Sequence, residues 1–112
     1  MTFGRRIKQA REALGIRQRA MADSLKISPS YLSRIERGRE PPPDPRIIRK
    51  LVRLLNCDPD ELYSLAKTVD PELLAFVRTP QVLAFLRKAK QRDLSRQQWN
   101  ALGEELENGT LK

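Results

Sequence analysis

Histidine is absent from the 112 residues, and cysteine occurs once, as Cys57. The first absence removes imidazole acid–base chemistry and histidine-ligated metals. The second excludes an internal disulfide and a cysteine metal cluster, and it leaves Cys57 to be read as a small buried hydrophobe near a helix end. Aromatic residues make up only 5% of the chain. Strand signals are nearly missing, and no apolar run approaches the roughly 18 residues that a membrane helix needs. No signal peptide is recognisable at the start, so a reducing cytoplasm is the expected location. No cofactor is expected. Fourteen acids without a histidine leave carboxylate or lysine chemistry alone. No acidic pair falls in an apolar, glycine-lined setting, so an enzyme is not expected either.

What the chain has in excess is positive charge. It carries 22 Lys and Arg against 14 Asp and Glu, a formal net charge of +8. That balance suits a polyanionic partner, nucleic acid before anionic membrane. The membrane reading is disfavoured because the basic residues do not line up opposite one broad apolar face. The excess is uneven: residues 1–68 hold 15 basic and 8 acidic side chains, and residues 69–112 hold 7 and 6. The basic function therefore belongs to the first part, and the extension needs another explanation.

Helix punctuation is dense. A capping side chain followed by proline at the first helical position occurs at Ser28-Pro29, Asp44-Pro45, Asp58-Pro59, Asp70-Pro71 and Thr79-Pro80. Ser95 with Gln98 adds a capping-box pattern, and Gly15 and Gly38 are helix stops. These marks predict helices over about 3–14, 18–25, 29–37, 45–56, 59–67, 71–78, 80–91 and 96–107, an all-α chain. Helical spacing puts Phe3, Ile7, Ala10 and Leu14 inward on the first, and Ile47, Leu51, Leu54 and Leu55 inward on the fourth. The three consecutive prolines of 39–46 (REPPPDPR) read as a rigid loop within one helical domain, with a domain boundary as the alternative.

Two short helices joined by a tight turn read DNA when three demands are met: a small residue where they cross, apolar locks to a core, and a polar outer face on the second helix. Counting from Gln18, Ala22 is the small residue, and Met21, Leu25, Ile27, Leu32 and Ile35 are the locks. Ser28, Ser30, Ser33, Arg34 and Arg37 form the polar side. The stretch QRAMADSLKISPSYLSRIERG resembles the helix-turn-helix of the Cro/CI-like, or XRE, repressor family. Gln18, Ala22, Ile27, Tyr31, Leu32, Ser33, Ile35, Glu36 and Gly38 are its matching positions. The resemblance covers roughly residues 3–67 and implies a five-helix lambda-repressor-like DNA-binding domain, here with about three further C-terminal helices. One position departs from the pattern: Lys26 stands where the turn usually has glycine, which implies a strain of about 1 kcal/mol if its φ is positive.

The resemblance also implies roles. Gln18, at the start of the second helix, is expected to contact a DNA phosphate, with Arg17 or Arg19 beside it. Pro29 offers no donor, so base reading is expected to rest on Ser30, Tyr31 and Arg34. Arg34 is the strongest, since a guanidinium can bridge guanine O6 and N7. Tyr31 has a backbone-packing alternative, and Ser33 is either a backbone-bonding or a phosphate-touching hydroxyl. Arg37, Arg39 and Arg46 surround the following loop; Arg37 and Arg39 are taken as phosphate contacts. Arg11 and Glu36 are expected to form a partly buried structural bridge between the first and third helices.

The chain is thus expected to comprise a DNA-binding domain, 1–68, and a helical extension, 69–112. The extension holds too much apolar surface for a solvated tail, with Trp99, Leu102 and Leu106 on one helical face. It either caps the first domain or forms a homodimer interface, and dimerisation through those three residues is expected. Docking of a protein antagonist is a third use. Gly103 marks either close helix approach or a fraying end. The leading expectation is a dimeric repressor of an inverted-repeat operator in double-stranded DNA, cytoplasmic and nucleoid-associated when bound. The alternative is an antitoxin-type interaction module that neutralises a partner and autoregulates its operon.

Overall fold

Most helix starts in this chain are closed by side chains; Thr79, expected to cap the helix that begins at Pro80, makes no side-chain cap bond. Thr2 Oγ1 accepts from the Arg5 amide at 3.2 Å, Ser28 Oγ from Tyr31 at 3.1 Å, Asp44 Oδ1 from Arg46 at 2.7 Å and Asp58 Oδ1 from Asp60 at 3.1 Å. Each bond satisfies an amide that no intrahelical carbonyl can reach. Ser95 and Gln98 cap reciprocally, at 3.1 and 2.8 Å. A computed structural model describes residues 1–109. Over them the chain is all-helical, with no strand: α1 (Phe3–Ala13), α2 (Gln18–Leu25), α3 (Pro29–Glu36), α4 (Pro45–Leu55), α5 (Pro59–Leu65), α6 (Pro71–Val77), α7 (Pro80–Arg92) and α8 (Arg96–Glu107). This is the expected five helices followed by three, with ends within two residues of those predicted. The last three residues of the expected extension, 110–112, lie outside the described residues.

The chain divides into two compact units, Met1–Leu74 and Ala75 onward, and the division falls inside α6. In the first unit α1 to α5 enclose one core. Ile7, Met21, Leu25, Leu32, Ile35, Ile48, Leu51 and Leu62 are its fully buried large side chains. Arg49 of α4 reaches Asp70 Oδ1 at 2.9 Å and Glu72 Oε1 at 3.2 Å, tying α4 to the start of α6. The Glu72 amide and the Arg49 guanidinium hold the Asp70 carboxyl below its ordinary pKa.

Two predicted faces are corrected. Leu14 is 53% exposed: α1 ends at Ala13, so Leu14 sits at the C-cap, where helical spacing no longer sets its direction, and Arg11 is buried on the inner side instead. On α4 the buried stripe is Ile48, Leu51 and Leu55, with Ile47 half-buried and Leu54 exposed. The sequence PRIIRKLVRLL offers two overlapping apolar stripes, and the neighbouring helices, not the period, choose between them.

The second unit is built from the rest of α6 with α7 and α8. Ala89 is its one buried residue among those described. Phe76, Phe85, Trp99 and Leu106 are exposed, and Leu102 is half-buried.

Candidate nucleic-acid interface

The turn from α2 into α3 is closed by the backbone. The Lys26 amide donates to Asp23 O at 3.1 Å and that of Ile27 to Ala22 O at 3.0 Å. Lys26 adopts a left-handed conformation, φ +59°, the strained state that a non-glycine residue at this position implies. Ala22 is fully buried where the helices cross. Beyond the turn, Ser28 caps α3 and Pro29 is its first residue, while Leu32 and Ile35 face the core.

A buried polar network fixes the other side of α3. Arg11 donates through Nε to Glu36 Oε2 at 2.8 Å, through Nη2 to Glu36 Oε1 at 3.0 Å and through Nη1 to Ile16 O at 2.9 Å. This is the expected bridge, in two-pronged form. The hydrogen bond from Glu36 raises the Arg11 pKa against the opposing effect of burial. Gln18 joins the network, its Nε2 donating to Glu36 Oε1 at 3.0 Å. Its amide is therefore oriented at the N-terminus of α2, with one N–H spent on Glu36 and one remaining. Among the described residues, every buried side-chain polar atom has a hydrogen-bond partner.

Gly4 supplies a contact that sequence reasoning missed. A Cβ there would lie 2.2 Å from Ile35 O and 2.8 Å from Glu36 O, so α1 rests directly on the C-terminal carbonyls of α3. A glycine inside a helix costs about 1 kcal/mol relative to alanine, which is the one sequence signal that its packing matters.

Of the predicted DNA-facing residues, five come together around one open cleft: Gln18, Ser30, Ser33, Arg34 and Arg37 line it with Pro29. Tyr31 does not line it; its ring is half-buried against the core. Arg17 and Arg19 stand exposed on either side of Gln18, and Arg17 is the N-cap residue of α2 without a side-chain cap bond. Arg39 lines a different cleft, with Phe3, Gly4, Pro41 and Pro42. Arg34 Nε lies 3.4 Å from Glu40 Oε1, a pairing absent from the sequence reading. Glu40 is held by its own amide, which donates to Arg34 O at 3.3 Å, and it precedes the rigid Pro41–Pro43 run. Arg37 Nε donates to Ser33 O at 3.4 Å. Among the described residues, no group of three or more Cys, Asp and Glu side chains is arranged to hold a metal ion, and no helix is long and apolar enough to cross a membrane.

The arrangement offers amide, hydroxyl and guanidinium donors around a single concavity between the N-terminus of α2 and the outer side of α3. Comparison with known proteins agrees with this geometry. A family model described as a helix-turn-helix domain matches residues 2–65. Among solved structures, a chain of a SinR protein/SinI protein complex has a similar fold, with a TM-score of 0.52 and 22% sequence identity. The match covers 97% of this chain and 98% of that one. No curated protein matches the chain.

Proposed function

The chain belongs to the helix-turn-helix domain family, and on that premise we propose that it is a sequence-specific, dimeric repressor of the Cro/CI-like (XRE) kind that binds an inverted-repeat operator through α3. The observation that carries this reading is the cleft that gathers Gln18, Ser30, Ser33, Arg34 and Arg37. In it Arg34 reads base edges, assisted by Ser30. Gln18, Ser33 and Arg37 hold phosphates, and Arg17, Arg19 and Arg39 add backbone contacts around them. Tyr31 touches the DNA at the margin of that surface. The protein acts without chemistry of its own, in the cytoplasm on the nucleoid, by excluding competitors from a promoter. If each protomer neutralises about five phosphates, the dimer's affinity falls with salt at a log–log slope near −9.

Two protomers place two copies of α3 about 34 Å apart, one turn of the duplex. The exposed apolar side chains of the second unit support pairing there: Trp99 is 43% and Leu106 68% exposed, and a half-buried Leu102 lies between them on α8. A second reading gives this surface to a different protein that antagonises DNA binding, or that the chain neutralises as an antitoxin would. The similar SinR chain comes from a complex with a second protein, which favours keeping that reading.

Selection of bound sequences from a random duplex pool tests the proposal. Enrichment of an inverted repeat is the expected result. A half-site without symmetry would remove the dimeric operator, and no enrichment would leave the protein-interaction reading.

A further inference from the structure

Arg5, Lys8, Gln9 and Glu12 follow one another at helical spacing on the outer side of α1, and together with Glu36 and Arg37 they line a second cleft. Arg37 lines the recognition cleft as well, so the two concavities meet at one side chain and form a continuous surface from α3 onto α1. The close seat of Gly4 on the carbonyls of Ile35 and Glu36 fixes that junction.

The charge on this surface is unspent. Glu36 is already paired with Arg11 and hydrogen-bonded by Gln18, which leaves Glu12 as the one other carboxylate lining this cleft beside Arg5, Lys8 and Arg37. Among the described residues none of these three cations makes an ion pair. Basic residues that brace the fold behave otherwise: Arg6, next to Arg5, pairs with Glu61, and Arg49 pairs with Asp70 and Glu72. Helix stability does not explain the placement either. The first turn of α1 has no acid, and positive charge at a helix N-terminus opposes the macrodipole. Arg5, in that first turn, therefore serves neither the core nor the helix, and Lys8, one turn on, makes no ion pair with Glu12 four residues later.

We propose that the Arg5–Lys8 face of α1 is a second phosphate-binding surface, which takes the DNA backbone flanking the base pairs read by α3. It rests on the DNA-binding reading above and adds an element that the helix-turn-helix itself does not include. Its contribution is independent of sequence, because phosphates carry no base identity.

The test compares wild-type protein with the Arg5→Gln/Lys8→Gln double variant, which removes both charges and keeps residues of similar helix propensity. Affinity is titrated against salt on a duplex with long flanks and on one trimmed to the selected core. On the long duplex the variant's log–log salt slope should be shallower by about 1.8 per bound protomer, two phosphates at about 0.9 each, with the ranking of operator sequences unchanged. On the trimmed duplex the two proteins should bind alike. A Lys50→Gln/Arg53→Gln variant removes equal charge from the exposed side of α4 and should leave the slope at the wild-type value. Equal slopes for wild type and the α1 variant overturn the inference, as does an equal loss in the α4 variant or a difference that persists on the trimmed duplex. Wild-type protein that binds no duplex at all removes the DNA-binding reading itself, a failure distinct from these.

Discussion

Gly4 and Glu40 act on the recognition helix from opposite directions, one by what it lacks and the other by what it carries. With backbone carbonyls at 2.2 and 2.8 Å from a prospective Cβ, Gly4→Ala forces α1 off α3, since carbonyls of a packed helix cannot step aside as a side chain does. We expect a loss of about 3 kcal/mol, the upper part of the range for overpacking, visible in thermal unfolding as a drop of more than about 10 °C for a unit of this size. An unchanged midpoint would mean that α1 is not seated as described. Glu40 holds Arg34 in a long pairing between half-exposed groups, worth no more than about 1 kcal/mol. Binding to DNA must break it, and the carboxylate also repels phosphate. Glu40→Gln should therefore tighten binding, by up to about fivefold on the operator and by less on a scrambled duplex, where Arg34 has no base to read; equal affinities for variant and wild type would show that the pair is no brake. Neither role was legible beforehand. A glycine near a helix start and an acid beside prolines have many meanings in a sequence, and only the approach of a distant segment selects one. The Arg11–Glu36 bridge was legible through the family resemblance alone, and its extension to Gln18 was not.

Element boundaries were written more openly. Serine or aspartate before proline marks α3, α4 and α5, and the side chain closes the turn in each case. These are local interactions, so a local reading suffices. Helix stops were less readable. Beside Gly15 and Gly38, the left-handed positions at Lys26, Asn56, Lys67 and Asp93 lack glycine; asparagine and aspartate enter that region readily, whereas the two lysines do so at a cost. The stripe buried by α4 was also beyond the sequence, because two stripes fit its period equally well. Within α8, Gly103 has open space where a Cβ would stand, so close packing within the described chain does not explain it. Gly103→Ala should stabilise α8 by about 1 kcal/mol, read as greater helicity and a higher unfolding midpoint. A loss instead would reveal a partner that approaches the backbone there.

Across the whole molecule, charge and apolar surface are kept apart: basic excess in residues 1–68, exposed aromatic and aliphatic side chains in α6 to α8. That separation was visible in composition, although what covers the apolar part was not, since a sequence shows the need for burial without naming the surface that meets it. If α8 pairs two protomers, Trp99→Asp with Leu106→Asp removes two side chains each worth about 1.5–3 kcal/mol on full burial. Self-association should weaken by at least about a hundredfold, with monomer in sedimentation and loss of cooperative operator binding. Unchanged association would move the interface elsewhere. The manner in which α3 is held has a consequence for the history such a protein can have. Its inner side is committed three times over, to the core at Leu32 and Ile35, to Arg11 and Gln18 at Glu36, and to the backbone at Gly4. Its outer positions Ser30 and Arg34 carry none of that burden, and exposed substitutions of this kind ordinarily shift stability by less than about 0.5 kcal/mol. Descendants of this chain are thus free to exchange one operator for another through a few surface changes, each intermediate remaining folded, while the scaffold beneath stays the same.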